Sequence, residues 1–141
     1  MGIVVIVGES HADELLNEFS IVKANEFAKI SCMDAVVIIG KNARADISSA
    51  LGVIVDGDEP ATDIPRFVQV IACGVSSKNT VSVTSRTTEK ITLSLNRSVQ
   101  TVDGVCEPLE QPIPDNGNVS EYDLMAAFAV KILLKQNNPP G

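Results

Sequence analysis

Three short apolar runs constrain this chain more than any other feature. Ile3–Val7 (IVVIV) stops at Gly8, Ala35–Ile39 (AVVII) stops at Gly40, and 53–55 (VIV) stops at Asp56-Gly57-Asp58-Glu59-Pro60. β-Branched residues without polar alternation suit a strand covered on both faces, the habit of parallel sheets. A further run at 68–72 gives a fourth strand. Between the strands, Leu15, Leu16, Phe19, Val22, Phe27 and Ile30 recur near helical spacing. That spacing predicts one or two helices over 11–30, and 43–51 reads as weakly helical. A β-α-β-α-β-β order implies a parallel layer with right-handed crossovers.

The texture changes after residue 80. Val81 and Val83 alternate with Ser82 and Thr84, and Ile91, Leu93 and Leu95 alternate with Thr92 and Ser94. Period-two alternation predicts antiparallel strands with one wet face. Asp103-Gly104 predicts a hairpin turn with both central residues at positive φ. Ser120 with Asp123 forms a capping box ahead of a nearly all-round apolar segment, which predicts a deeply packed helix over 120–135. The expected fold is α/β: a mostly parallel sheet flanked by helices in a Rossmann-like three-layer arrangement, with a small antiparallel sheet and a buried C-terminal helix. One domain over 1–136 and a disordered tail at 137–141 (NNPPG without its flanks) complete the expectation.

Charge excludes some partners. The chain of 141 residues carries 11 Lys and Arg against 18 Asp and Glu, a net charge of −7. A nucleic-acid binder needs a basic face to displace counterions, and no Lys/Arg cluster exists here. No segment reaches the length of a membrane span. The three cysteines, Cys32, Cys73 and Cys106, match no zinc or redox spacing. Reduced, mostly buried thiols suit a cytoplasmic protein.

The candidate sites follow the strands. Gly8-Glu9-Ser10-His11 has the strand, turn and helix-start geometry that can accept an anion, although Glu9 repels one and Ser10 doubles as a cap. His11 is the only histidine and reads most simply as an exposed first-turn residue. Gly40-Lys41-Asn42 ends another strand, where open α/β sheets bind ligands. Gly74 to Lys78 has the small and basic residues of a phosphate loop, but lacks the second glycine, and strand-like sequence follows it. Lys78 is therefore a weak binding candidate in a strand connection. Asp56, Asp58 and Glu59 form the one carboxylate cluster that could hold a divalent metal, and the same residues make an ordinary turn. No Gly-x-Ser-x-Gly elbow exists, and a single histidine leaves no triad to assemble.

From about residue 34 the order of segments MDAVVIIG, VIVDGDEP, VQVIACGVSSKNTVSV and GNVSEYDLMAAFAVKILL resembles the central domain of Mur-type peptide ligases, which include folylpolyglutamate synthetase. The resemblance implies an ATP-dependent amide-forming ancestry. The family's phosphate loop would fall at VVIVGESHADELL, which lacks glycine-lysine-threonine. Its metal ligands would fall at GKNARAD, which lacks them too. Without the phosphate-binding lysine and the magnesium ligands, phosphoryl transfer loses its main electrostatic support. The expectation is a non-catalytic binding or scaffolding domain, a degenerate Mur-ligase-like protein linked to cell-wall metabolism, leaning away from an enzyme. No cofactor is expected. The partner is an unnamed small molecule or protein, with no nucleic acid or membrane, and self-association is left open. The alternative is a metal-dependent enzyme on a nucleotide-sugar or phosphorylated substrate, using a divalent metal at Asp56, Asp58 and Glu59.

Overall fold

The structure, a computed structural model, describes residues 2–58, 64–115 and 117–135. These residues are built mainly of strands, which make up 48% of them, with a single α-helix. In chain order these are β1 (Ile3–Val7), a one-turn 3-10 helix (Ala12–Leu15), β2 (Ser20–Ala24), β3 (Phe27–Ser31), β4 (Ala35–Ile39), β5 (Arg44–Ser49) and β6 (Gly52–Asp56). There follow β7 (Val70–Cys73), β8 (Val81–Arg86), β9 (Lys90–Leu95), β10 (Val99–Thr101), β11 (Gly104–Cys106), β12 (Leu109–Pro114) and α1 (Glu121–Leu134).

The main sheet has the order β12-β9-β8-β7-β6-β4-β1-β2. It is parallel from β2 to β8 and antiparallel through β8, β9 and β12. A second, two-stranded parallel sheet pairs β3 with β5. The chain thus winds β3-β4 and then β5-β6, each turn placing one strand in the small sheet and one in the large. This is β-solenoid-like stacking, and it corrects the expected Rossmann-like three-layer α/β fold with flanking helices.

The physical reason lies in what covers the second face. Val4 and Ile6 pack with Val36, Ile38 and Ile54 in the cluster that contains α1. Val7, Val37, Val53 and Val55 point the other way, onto Ile30, Ala45 and Ile47 of the small sheet. Two-sided burial requires a cover on each face but does not specify a helix. Over 11–30, expected as one or two helices, the chain makes one 3-10 turn at Ala12–Leu15 and then β2 and β3: Ile21 and Val22 are β-branched, and Asn25-Glu26 supplies the turn between the strands. Residues 44–49, expected as weak helix, alternate strictly. Ala45 and Ile47 are buried, while Arg44, Asp46 and Ser48 are exposed.

The C-terminal helix forms where expected. The Ser120 hydroxyl accepts the Asp123 N–H at 3.1 Å, and the side chain of Asp123 turns elsewhere, as shown below. The hairpin also forms, but its two-residue loop is Val102-Asp103, since Thr101 pairs with Gly104. Of these turn residues only Gly104 has positive φ, at 113°. The face of β9 expected to be wet is partly buried at Ser94. The tail at 137–141 and Glu59 lie outside the described residues. Among the described residues no helix is long and apolar enough to cross a membrane.

Candidate functional site

β1 is the switch point of the sheet. From it the chain leaves to β2 on one side, whereas β4 lies on the other and leads away to β6. The loops that follow β1 and β4 come together at Glu9 and Lys41, and a crevice opens beside them at the carboxyl ends of the strands. A cavity of about 660 Å³ occupies this place. Ile39 and Val55 contribute its apolar surface, and Glu9, His11, Lys41 and Arg44 its charged walls.

Two glycines let the loops meet. Gly8 has φ +83°, and a Cβ there would come within 2.5 Å of the Ala43 Cβ. A Cβ on Gly40 would collide with the Glu9 carbonyl oxygen. With both side chains absent, the Glu9 N–H donates to the Lys41 carbonyl at 3.4 Å, and the Lys41 N–H donates to the Glu9 carbonyl at 3.2 Å. Asn42 completes the second loop at φ +57°, a left-handed conformation that asparagine tolerates.

The first loop is closed from within. The Gly8 N–H donates to the Ala24 carbonyl at 2.9 Å and the Glu9 N–H to Lys41. The His11 N–H donates to the Asp123 Oδ2 at 3.2 Å, and the Ala12 N–H to the Ser10 Oγ at 3.2 Å. The Ser10 hydroxyl donates to the Asp123 Oδ1 at 2.6 Å. Asp123 is buried, 5% exposed, in the first turn of α1. Its carboxylate thus sits where a bound anion would have to sit, with the helix dipole favouring it there. A helix of one turn after the loop adds no anion-holding end of its own.

The crevice floor is braced by the only tyrosine. The Tyr122 hydroxyl donates to the Ile39 carbonyl at 2.8 Å and lies 3.2 Å from the Ile54 carbonyl. It ties α1 to the ends of β4 and β6. Asp56, the last residue of β6, reaches the cavity. Its register partner on β7 is Cys73. Burial, and secondarily the Asp56 charge, holds the Cys73 thiol neutral far above the usual thiol range.

The structure brings Gly8, Glu9, Ser10, His11, Gly40 and Lys41 together around one joint and leaves Lys78 apart. Lys78 lies in the β7–β8 connection, where its carbonyl accepts from the Arg97 guanidinium at 2.5 Å. Of the acidic cluster, Asp56 lines the crevice, and its Oδ1 accepts the Asp58 N–H at 2.9 Å in a turn. Among the described residues no group of three His, Cys, Asp or Glu side chains could hold a metal ion. Asn42 lines the cavity beside Gly40 and Lys41, whereas Arg44, Tyr122 and Asp123 line it without having been marked as site residues in the sequence. Arg44 could have been found from the alternation of RADIS, and Asp123 from a capping-box residue with more than one possible partner.

No family model, curated protein or solved structure matches the chain.

Proposed function

We propose that the chain is a non-catalytic binding domain whose ligand enters the crevice beside the loops after β1 and β4. The observation that carries this reading is the switch-point cavity itself, formed by two loops that glycines hold in contact. Its size lies within the ordinary range for small-molecule sites, about 300–1,000 Å³. The Gly8, Glu9, His11 and Ala12 N–H groups of the first loop are already engaged, so recognition falls mainly to side chains. Lys41 and Arg44 offer positive charge from the second loop, and Glu9 and Asp56 offer acceptors. A small anionic molecule that also carries hydrogen-bond donors fits that set better than a nucleotide triphosphate, which needs bare backbone N–H groups. The resemblance to Mur-type ligases suggests cell-wall metabolism as the setting, and three unpaired cysteines suit the cytoplasm.

Calorimetric titration with a panel of small carboxylates and phosphate esters tests this. One of them is expected to bind, and Lys41→Ala with Arg44→Ala to weaken it at least tenfold. Tight ATP binding with turnover, lost in Lys41→Ala, would overturn the reading. A Mn²⁺ isotherm lost in Asp56→Asn would favour the metal-dependent enzyme instead.

A further inference from the structure

A second cavity lies away from the crevice, between α1, β12 and the β10–β11 hairpin. It is larger, about 1060 Å³. One wall is a single face of the helix: Leu124, Ala127, Phe128 and Ile132 follow at spacings of three and four, ending at Lys135. From Leu124 to Lys135 that face runs ~16 Å. The facing wall comes from β12 and its approach, with Leu109, Ile113 and three prolines, Pro108, Pro112 and Pro114.

Three features of this groove converge. Its rim leaves apolar surface uncovered: Val105 is 62% exposed and Leu109 37%. Its proline wall has few backbone N–H donors, so an added strand would find little to pair with. An apolar chain needs none. Its polarity is arranged lengthwise. Leu15, Leu124 and Ile113 line the end near the start of the helix, and Lys131, Lys135, Asp103 and Glu107 line the other. The orientation follows from the Val102 N–H, which donates to the Leu133 carbonyl and so ties the hairpin to the helix C-terminus. At that end the Glu107 carboxylate already accepts the Ser98 hydroxyl at 3.0 Å. Lys131 and Lys135 take part in none of the ion pairs found among the described residues.

We propose that this groove binds a free, monomeric single-chain carboxylate amphiphile, a medium-chain fatty acid in chemical class. The alkyl chain would lie along the Leu124–Ile132 face, with the carboxylate between Lys131 and Lys135. The site is independent of the crevice and of the function proposed for it.

The test is calorimetric titration of the full chain with octanoate, decanoate and dodecanoate below their micellar concentrations. One-to-one binding is expected, with affinity rising about fourfold per added methylene. The surface variant Lys131→Glu/Lys135→Glu should keep its circular dichroism and bind dodecanoate at least tenfold more weakly. Ile113→Lys, at the apolar end, should weaken dodecanoate most and octanoate least, because the shorter chain anchored at the lysines does not reach that end of the face. Absence of saturable heat with dodecanoate would overturn the proposal. So would equal affinity for dodecyltrimethylammonium, since the lysines would then select nothing. A dimer on sizing chromatography that Val105→Glu dissociates would give the groove to a second copy. Co-sedimentation with phosphatidylglycerol vesicles without binding of free dodecanoate would give it to a bilayer surface. Either result overturns the free-amphiphile assignment.

Discussion

The two halves of the main sheet are held together by different physics. From β2 to β7 the strands are joined by continuous parallel ladders and sandwiched between α1 and the small β3–β5 sheet. Past β7 the ladder thins to one residue pair, Cys73 with Val81. There a buried polar seam takes over. The Asn96 Nδ2 donates to the Asn79 carbonyl at 3.0 Å and to the Ser82 Oγ at 2.9 Å, while its Oδ1 accepts the Ser94 hydroxyl at 2.8 Å. Asn79, Thr80, Ser82 and Ser94 are all buried. The parallel half thus rests on apolar packing, which is non-directional and tolerates small shifts. The changeover rests on hydrogen bonds, which demand geometry and leave a costly orphan when one partner is lost.

The largest contrast should appear in the cores. Ile54 is fully buried in mid-sheet, so Ile54→Ala should cost about 2–5 kcal/mol by lost contact and cavity formation. Leu109→Ala, on the exposed edge strand of the antiparallel half, should stay within about 0.5 kcal/mol. Urea denaturation of both variants measures the difference. Equal losses would mean that the edge strand β12 is held as tightly as the buried strands, which include β9 with Ile91, Leu93 and Leu95. Next comes the joint between the loops. Gly40→Ala drives a methyl into the Glu9 carbonyl, and neither backbone can yield without breaking the Glu9–Lys41 pair. A loss of about 1–3 kcal/mol is expected, as for overpacking elsewhere, together with weaker ligand binding in the crevice.

The seam should respond differently from either. Asn79 fits because Gly57 and Gly74 flank it without side chains, and a Cβ on either would strike its amide. Asn96→Ala removes all three side-chain hydrogen bonds of the seam and should cost about 1–3 kcal/mol. It should also speed hydrogen exchange in β8, β9 and β12 before it does so in β1, β4 and β6. Uniform acceleration across the sheet would show that the two halves open as one unit.

These contrasts also explain what could be read in the sequence. Ile3–Val7 and Ala35–Ile39 were legible because a run of β-branched residues closed by glycine has few other uses. The second cover was not legible. Phe19, Val22, Phe27 and Ile30 satisfy a loose helical spacing, yet Phe19 precedes β2 and the other three lie on β2 and β3, and only the packing of Ala28 and Ile30 against the sheet decides. In RADIS the period-two signal was present but short. The joint of the site was half legible: Gly8 and Gly40 could be marked from strand ends, but not that they meet. Contacts such as Ser10 to Asp123, 113 residues apart, cannot be found from local pattern.

The smallest effects concern two of the three cysteines, Cys73 in the parallel half and Cys106 on the β10–β11 hairpin outside the main sheet. Cys73 is buried in the parallel half, and burial with the nearby Asp56 charge holds its thiol neutral. In the unfolded chain the same thiol ionises at about 8.5. Its folded pKa is raised, so its contribution to stability is complete below that value and is lost as pH rises beyond it. A decline in stability on the alkaline side is expected, and it should flatten in Cys73→Ala once the change in packing is subtracted. Cys106, on the hairpin, is only half-buried. Its thiol is raised first by burial and then by Glu107. It should therefore react with iodoacetamide in the native protein, but more slowly than a free thiol at the same pH, because only the thiolate attacks. Glu107→Gln removes the lesser of the two causes and should recover part of the rate. Full recovery would assign the shift to charge alone, and no recovery would assign it to burial. Cys73 should remain unlabelled until the parallel half opens, so its labelling rate, set against that of Cys106, reports how tightly the parallel half is closed.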